Sequence, residues 1–199
     1  MLKLWLIRHG MTEGNRHGRY IGVTDEPLCE EGREALRQMA YPVPQAVYAS
    51  PMLRCTQTAG ILYPGKSIQI IDELAECDFG EFENKNYQEL SGNSNYQKWI
   101  DSNGTAPFPG GESREEFKDR NLKGFQRAVS DSIRRKLQDA ALVVHGGTIM
   151  NLMEEYANIE RPFYEWHVKN GGGYLVELDE KDWVSGYREL KLCYAFMEG

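Results

Sequence analysis

The chain has 199 residues, of which 41% are hydrophobic and 27% charged, and its formal net charge at pH 7 is −7. This length suits one domain with a full hydrophobic core, and the 11% of aromatic residues argues against intrinsic disorder. Proteins that bind nucleic acid without regard to sequence need a basic surface, so the acidic balance disfavours that class.

Segments with strand and helix patterns alternate along the chain. Short apolar runs predict buried strands at residues 4–7, 46–49, 68–71 and 141–144, and more alternating segments predict the last strands at 174–178 and 187–192. Helical spacing predicts helices at residues 31–39, 51–62 and 113–137. This order predicts an α/β fold, a three-layer α/β/α sandwich with a mostly parallel central sheet. No linker interrupts residues 1–199, which we expect to form a single domain.

Two of the predicted strands end in nearly the same sequence. His9-Gly10 follows the first strand, and His145-Gly146 follows the strand at 141–144. Each pair precedes a threonine and a predicted helix, whose N-terminus attracts anions, and the glycines permit a tight turn. A fold that places these two strands side by side would put both histidines in one phosphate site.

Two arginines strengthen this interpretation. Arg8 directly precedes His9, and Arg54 lies in the first turn of the helix predicted at 51–62. The planar guanidinium group matches phosphate oxygens, so the pair favours a phosphoryl group as the ligand. For a lone histidine the alternative is a hydrogen-bonded core residue, but the matched settings favour a functional pair.

These motifs resemble the histidine phosphatase superfamily, in the branch shared by cofactor-dependent phosphoglycerate mutases and α-ribazole phosphatase-like phosphomonoesterases. The resemblance rests on the number and order of the matches rather than on any single one. In chain order the matching positions are 8–10, 12, 15, 22, 24–28, 32, 50–54, 57–59, 74–76, 80, 110–113 and 145–147.

The resemblance implies a phosphomonoesterase that forms a phosphohistidine on His9 from a small-molecule phosphate ester and passes the phosphoryl group to water. Glu76 would be the general acid and then the general base, and Arg8, Arg54 and His145 would complete the catalytic set. The implied phosphate-binding residues are Arg8, Asn15, Gly22, Arg54, His145 and Gly146. Without the resemblance, Glu76 would be interpreted as a solvated acid within the acidic stretch 72–83.

The chain departs from the family pattern at a few positions. Met11 stands where a polar residue is usual, Ile21 where glutamine is common, and residues 82–84 read Phe-Glu-Asn instead of Trp-Glu-Gly. None of these positions belongs to the implied catalytic set. We therefore expect them to affect substrate preference rather than activity.

Two other functions compete with a phosphatase. A mutase of the phosphoglycerate type shares the chemistry, but the chain is short of the extra segment with which mutases cover the site. A catalytically inactive protein that binds phosphorylated partners is disfavoured by the intact catalytic set. An α-ribazole phosphate, a sugar phosphate and a phosphoglycerate remain alternatives for the substrate.

Residues 84–111 are predicted to form a lid-like insertion that determines substrate preference. Tyr87, Tyr96, Trp99 and Phe108 either line the site from this segment or pack among themselves. The sequence alone does not choose between these arrangements.

Several further features are expected to be absent. The apolar stretches are far shorter than the roughly 20 residues that cross a bilayer, and the apolar start is too brief for a signal peptide. The histidines and cysteines lack metal-ligand spacing, so we expect no metal and no cofactor. The four cysteines indicate free thiols in the cytoplasm, with packing favoured over a redox role for Cys55 and Cys77. Monomer and dimer both remain possible.

Overall fold

A six-stranded sheet forms the centre of the computed structural model, which describes residues 1–196. Its strands are β1 (Leu2–Arg8), β2 (Ala46–Ala49), β3 (Ile68–Ile70), β4 (Asp139–Val144), β5 (Gly173–Leu178) and β6 (Lys191–Phe196). They lie in the order β3-β2-β4-β1-β5-β6, and the first four of this order are parallel. The strand β5 is antiparallel to both of its neighbours, β1 and β6. The predicted α/β fold with a mostly parallel sheet is confirmed.

Helices cover both faces of this sheet. They are α1 (Glu13–Arg16), α2 (Glu30–Arg37), α3 (Leu53–Leu62), α4 (Ser94–Asp101), α5 (Arg114–Arg134), α6 (Gly146–Tyr156) and α7 (Glu180–Ser185), with 3₁₀ turns at Asp72–Leu74, Gly80–Phe82 and Phe163–Trp166. The alternation of side chains along β1 explains the layers. Leu4 and Leu6 belong to the hydrophobic core formed with α5 and α6, whereas Trp5 and Ile7 belong to the core formed with α3.

The last strand begins later than the sequence predicts. The prediction placed it at residues 187–192, whereas the structure has β6 at Lys191–Phe196. The backbone N–H of Leu190 donates to the carbonyl oxygen of Tyr156 (2.7 Å), and its carbonyl accepts from Asn158 (3.0 Å). The chain before β6 is therefore bonded to the end of α6, and pairing with β5 starts after it.

The sheet brings the two predicted histidine segments together. The strands β1 and β4 are parallel neighbours, with Arg8 in register with Val144. His9 and His145 directly follow β1 and β4, so both lie at the same edge of the sheet. In α/β sheets, ligands bind beyond the carboxyl ends of the strands, so a ligand site is expected at this edge.

Candidate active site

His9 is buried at the end of β1, with 3% of its surface exposed. Its Nδ1 lies 2.7 Å from the carbonyl oxygen of Gly10. A carbonyl oxygen can only accept, so Nδ1 carries the proton and the lone pair is on Nε2. Burial, with the nearby charges of Arg54 and Arg8, lowers the pKa of His9 well below its usual value. The ring is therefore neutral at pH 7.

Hydrogen bonds from distant segments hold the turn after His9. The N–H of Gly10 donates to the hydroxyl of Thr58 (2.9 Å), and that hydroxyl donates to the carbonyl oxygen of Arg54 in the same helix (2.7 Å). The side-chain amide of Asn170 donates to the carbonyl oxygen of His9 (3.1 Å). Sequence reasoning assigned no role to Asn170, because an asparagine before a run of glycines carries only the signal of a loop.

Arg54 is completely buried and is held by backbone carbonyl oxygens. Its Nη1 donates to Thr24 (3.0 Å), and its Nη2 donates to Ile21 (3.2 Å) and Gly22 (2.9 Å). Among residues 1–196 no carboxylate forms an ion pair with it, and its Nε has no partner. A buried cation that lacks a counter-ion attracts an anion, because burial removes the water that would otherwise solvate it.

Arg8 approaches the same place from the end of β1. Its Nη1 donates to the carbonyl oxygen of Val168 (2.7 Å) and lies 3.2 Å from Nε2 of His167, while its buried Nε has no partner among the described residues. A Cβ on Gly146 would come within 3.4 Å of that Nε. The N-terminus of α6 therefore lies against the guanidinium group.

His145 immediately precedes α6 and is completely buried. Its ring centroid lies 5.2 Å from that of His9. Its Nε2 lies 2.7 Å from the hydroxyl of Ser50, and its Nδ1 lies 3.8 Å from Oε2 of Glu76. Burial and then the charge of Arg54 lower the pKa of His145 well below its usual value, so this ring is also neutral.

Glu76 lies in the loop between two 3₁₀ turns, and 11% of its side chain is exposed. Burial raises the pKa of Glu76, against the opposing effects of the Cys77 N–H, Arg54 and Arg8. A Cβ on Gly147 would come within 3.0 Å of Oε1 of Glu76, so the carboxyl group lies close to the first turn of α6. The carboxyl group lies inside the site, and the alternative of a solvated acid does not hold.

A clamp that the sequence did not reveal holds the loop around Glu76. Arg120, in α5, donates to the carbonyl oxygens of Glu73 (3.0 Å), Ala75 (2.8 Å) and Glu76 (3.1 Å). The same guanidinium group forms two hydrogen bonds with the carboxylate of Glu112 (2.9 and 2.7 Å). In sequence, Arg120 has the pattern of any polar residue on an amphipathic helix, so no local signal identifies it.

Glu83 forms a second junction beside the acid-bearing loop. Its carboxylate accepts the backbone N–H groups of Gly22 (3.2 Å), Val23 (2.9 Å), Thr24 (3.3 Å) and Phe79 (3.1 Å). It also accepts the hydroxyl of Thr24 (2.7 Å). Glu83 thus joins the loop whose carbonyl oxygens hold Arg54 to the loop that carries Glu76, and the N–H of Gly22 is already bonded.

Aromatic side chains attach residues 84–111 to the acid-bearing loop. Tyr96 and Trp99 of α4 stack at a centroid distance of 6.1 Å, and Phe108 stacks on Trp99 at 5.3 Å. Phe82, which is completely buried, contacts all three rings edge to face. Of the two arrangements considered from the sequence, these three residues adopt mutual packing, whereas Tyr87 is 66% exposed.

The described part of the chain contains no cluster of three or more His, Cys, Asp or Glu side chains that could hold a metal ion. Within residues 1–196 no helix combines the length and apolar character needed to cross a membrane. All four cysteines are free thiols. Burial raises the pKa of Cys55 and of Cys77, so both thiols are protonated and unreactive at pH 7.

Comparison with known proteins matches residues 4–188 to the histidine phosphatase superfamily (branch 1). Phosphoserine phosphatase 1 of Hydrogenobacter thermophilus is 28% identical over 157 residues, 75% of this chain and 72% of that protein. The adenosylcobalamin/alpha-ribazole phosphatase of Salmonella typhimurium is 30% identical over 188 residues, 89% and 90% of the two chains. The alpha-ribazole phosphatase structure from Shigella flexneri shares the fold, with a TM-score of 0.81 and 24% identity over 99% and 98% of the chains. Other relatives of similar identity are named 2,3-bisphosphoglycerate-dependent phosphoglycerate mutases.

Proposed function

The chain belongs to the histidine phosphatase superfamily, and we propose that it hydrolyses a small-molecule phosphate monoester through a phosphohistidine on Nε2 of His9. The observation that carries this proposal is the hydrogen bond from Nδ1 of His9 to the carbonyl oxygen of Gly10, which leaves the lone pair on Nε2. A neutral imidazole in this tautomer is a nucleophile that needs no separate base. The phosphatases named among the relatives support the same reaction class.

In the first step, the Nε2–P bond forms while the bond from phosphorus to the leaving oxygen breaks, and Glu76 gives its proton to that oxygen. The raised pKa of Glu76 supports this role, because it favours the protonated form. In the second step, water attacks phosphorus, its proton goes to Glu76, and Nε2 of His9 leaves. The covalent intermediate divides one difficult transfer into two easier ones.

Arg8, Arg54 and His145 stabilise the negative charge on the transferring phosphoryl oxygens. The unpaired Nε atoms of the two arginines support this assignment, because each is a buried donor without a partner in the described chain. If the hydroxyl of Ser50 donates to Nε2 of His145, the ring keeps a proton on Nδ1 and can donate it to a phosphoryl oxygen.

The remaining phosphate-binding residues contribute in different ways. Oδ1 of Asn15 accepts from the backbone N–H of Thr12 (3.2 Å) and from Asn170 (3.1 Å), so its amide Nδ2 is available to donate to a phosphoryl oxygen. Gly146 supplies the first N–H of α6 beside Arg8. Gly22 acts through its carbonyl oxygen, which orients Arg54.

We assign the whole chain to one domain, in which residues 84–111 close over the leaving group as a lid. The attachment of this segment through Trp99 and Phe82 to the acid-bearing loop supports a position next to the site. The free thiols support a reducing, cytoplasmic setting. The substrate is a small phosphate ester, and the relatives that act on phosphoserine and α-ribazole phosphate support this class.

The proposal is tested by trapping the intermediate. Brief incubation with a radiolabelled phosphate ester, followed by an alkaline quench, should leave label on His9, because phosphoramidates survive base and are labile in acid. His9→Ala should abolish labelling and turnover. His17→Ala is the matched control, since His17 is exposed and bonded to Glu13 (2.9 Å). Turnover should be insensitive to chelators.

A second assay, which identifies the products, separates hydrolysis from isomerisation. Given 3-phosphoglycerate and a catalytic amount of 2,3-bisphosphoglycerate, the enzyme should release inorganic phosphate or remain inactive. Formation of 2-phosphoglycerate at a rate comparable with hydrolysis of the best substrate would contradict the hydrolase and favour a mutase. In the trapping test described above, turnover by His9→Ala near the wild-type rate would contradict the assignment of His9 as the nucleophile.

A further inference from the structure

The turn that leads into β5 lies beside the segment that carries the proposed nucleophile. Strand β5 is antiparallel to β1, and backbone bonds continue this pairing beyond the sheet. The N–H of Arg8 donates to the carbonyl oxygen of Gly172 (2.8 Å), and the N–H of Gly171 donates to that of Arg8 (3.0 Å). Gly171 has a φ of +78°, which glycine adopts without strain. The backbone therefore holds this turn, and the side chain of Asn170 is not needed for it.

The side-chain amide of Asn170 contacts three groups of the proposed site instead. Its Nδ2 donates to the carbonyl oxygens of His9 (3.1 Å) and Gly10 (3.4 Å), and to Oδ1 of Asn15 (3.1 Å). The two backbone carbonyl oxygens can only accept, so the nitrogen of the amide must face them. This determines the orientation of the Asn170 amide. One side chain thus links groups from which it is far away in sequence.

Two of these bonds concern the nucleophile. The carbonyl oxygen of Gly10 also accepts the Nδ1 proton of His9 (2.7 Å), which leaves the lone pair on Nε2. A carbonyl oxygen has two lone pairs, so it can accept from the ring and from Asn170 together. Since the carbonyl oxygen of His9 is bonded as well, Asn170 holds both peptide groups that follow the ring. These peptide groups determine the tautomer of His9 and the direction of its Nε2.

The third bond concerns Asn15, which we assign to the phosphoryl oxygens. Its Oδ1 accepts from Asn170 and from the N–H of Thr12 (3.2 Å), the residue that caps α1. Two donors on one oxygen prevent the amide from turning over, because the turned amide would place Nδ2 against both of them. Asn170 therefore helps to keep the donor end of Asn15 available for the phosphoryl group.

We propose that Asn170 is a positioning residue, whose amide holds the nucleophile His9 and the phosphate donor Asn15 in a fixed relation to each other. This inference rests on the proposed formation of a phosphohistidine on His9, since that reaction needs both groups at once. Attack on phosphorus requires Nε2 and the phosphoryl oxygens to be aligned within a fraction of an ångström. Asn170 supplies this alignment through its two neighbours.

The test measures single-turnover phosphorylation rates in Asn170→Ala, in Asn15→Ala and in the double variant. Asn170→Ala should form phosphohistidine about tenfold more slowly, because the reacting atoms lose their alignment. The loss should be the same on sugar phosphates and on p-nitrophenyl phosphate, since both use the nucleophile and the phosphate donor. In the double variant the loss should be smaller than the product of the two single losses, because one of the groups that Asn170 holds is already absent.

The matched control is Asn158→Ala, because the side chain of Asn158 bonds to the backbone elsewhere, where it accepts the N–H of Leu192 (3.0 Å). It should lower the free energy of unfolding without changing the phosphorylation rate. The amount of labelled phosphoenzyme gives the active fraction of each variant, so partial unfolding is not mistaken for a slower reaction.

An unchanged rate in Asn170→Ala would overturn the positioning role, even if that variant is less stable. Single losses that multiply in the double variant would overturn it as well, because His9 and Asn15 would then not share Asn170. Both results leave hydrolysis at His9 intact. If the wild-type enzyme forms no phosphohistidine on His9, the proposed function fails and this inference fails with it. The two failures are therefore distinct.

Discussion

Backbone hydrogen bonds determine which atoms of the proposed catalytic side chains remain available. The carbonyl oxygen of Gly10 holds the proton of His9 on Nδ1, and three carbonyl oxygens hold the Nη atoms of Arg54. The Nε atoms of Arg8 and Arg54 are left without partners in the described chain. Because no carboxylate of residues 1–196 pairs with these guanidinium groups within 4.0 Å, the site has positive charge that a phosphate can neutralise.

The acid role of Glu76 can be tested with leaving groups of different acidity. Alkyl and sugar phosphates release poor leaving groups that need a proton, whereas p-nitrophenol leaves as an anion. Glu76→Gln keeps the shape of the side chain but has no proton to give. We expect a loss of about 100-fold on sugar phosphates and a much smaller loss in the phosphorylation step with p-nitrophenyl phosphate.

Single-turnover phosphorylation rates are the required measurement, because the variant also lacks the base for the second step and phosphoenzyme accumulates. Glu81→Gln is the matched control, since Glu81 lies in the same loop but is exposed and bonds to Asn95 (3.0 Å). Equal losses on both substrates would assign Glu76 to phosphate positioning or folding instead.

Loops that carry the functional groups are held by side chains from helices and neighbouring loops. From α5, Arg120 binds three carbonyl oxygens of the acid-bearing loop. Glu112 accepts from both Arg120 and the N–H of Asp78 (3.0 Å). Glu83 joins this loop to the carbonyl oxygens around Arg54. The position of Glu76 is therefore determined by contacts on both sides of it rather than by its own short turn.

Removal of the Arg120 clamp should affect catalysis through the position of Glu76. We expect Arg120→Met to lower the free energy of unfolding by about 1–3 kcal/mol, because buried carbonyl oxygens lose their donors. It should also lower kcat by about tenfold on sugar phosphates and by less on p-nitrophenyl phosphate, since only the former need the acid. Denaturant unfolding and the ratio of the two rates measure these effects.

The control for this clamp is Arg127→Met, two helical turns further along α5. Arg127 is exposed and pairs with the Glu73 side chain instead of the backbone of the acid-bearing loop. It should leave the ratio of rates unchanged. A loss of stability in Arg120→Met with an unchanged ratio would assign Arg120 to folding alone.

The protein as a whole is acidic, but the sheet edge with the proposed site concentrates buried cations and neutral histidines. This arrangement makes stability depend on pH. Burial lowers the pKa of His9 and of His145 well below 6.5, so below that pH the unfolded chain binds protons that the folded chain does not. The histidines therefore destabilise the fold progressively as pH falls below about 6.5.

Each of these two histidines should add about 1.4 kcal/mol per pH unit to the slope of the free energy of unfolding against pH, at pH values well below 6.5. Glu76 has the opposite sign, because its raised pKa makes the folded chain bind a proton first as the pH falls. Urea unfolding between pH 7 and about pH 5 should show the loss of stability. His9→Gln should reduce the slope by one histidine's share. An identical slope in His9→Gln would contradict a neutral, buried His9.

Patterns carried by neighbouring residues were sufficient for the main elements and for the candidate histidines and arginines, whereas Glu76 became a candidate only through the family resemblance. Apolar runs located β1 to β4 within a few residues, because the strand period depends on adjacent side chains. The histidines and arginines were identifiable because they follow strands or begin helices, where ligands bind in this class of fold. The prediction failed at β6, since the backbone partner of Leu190 belongs to the end of α6 and leaves no trace in the local pattern.

Contacts between distant segments decided the rest of the site. The pairing of β1 with β4 and the bonds of Arg120 and Glu83 to loop backbones all join parts of the chain that are far apart in sequence. An arginine on α5 has the same local signal whether it clamps a loop, as Arg120 does, or lies on the surface, as Arg127 does. Packing of helices against the sheet determines which polar groups meet, and this depends on the whole fold rather than on residue spacing.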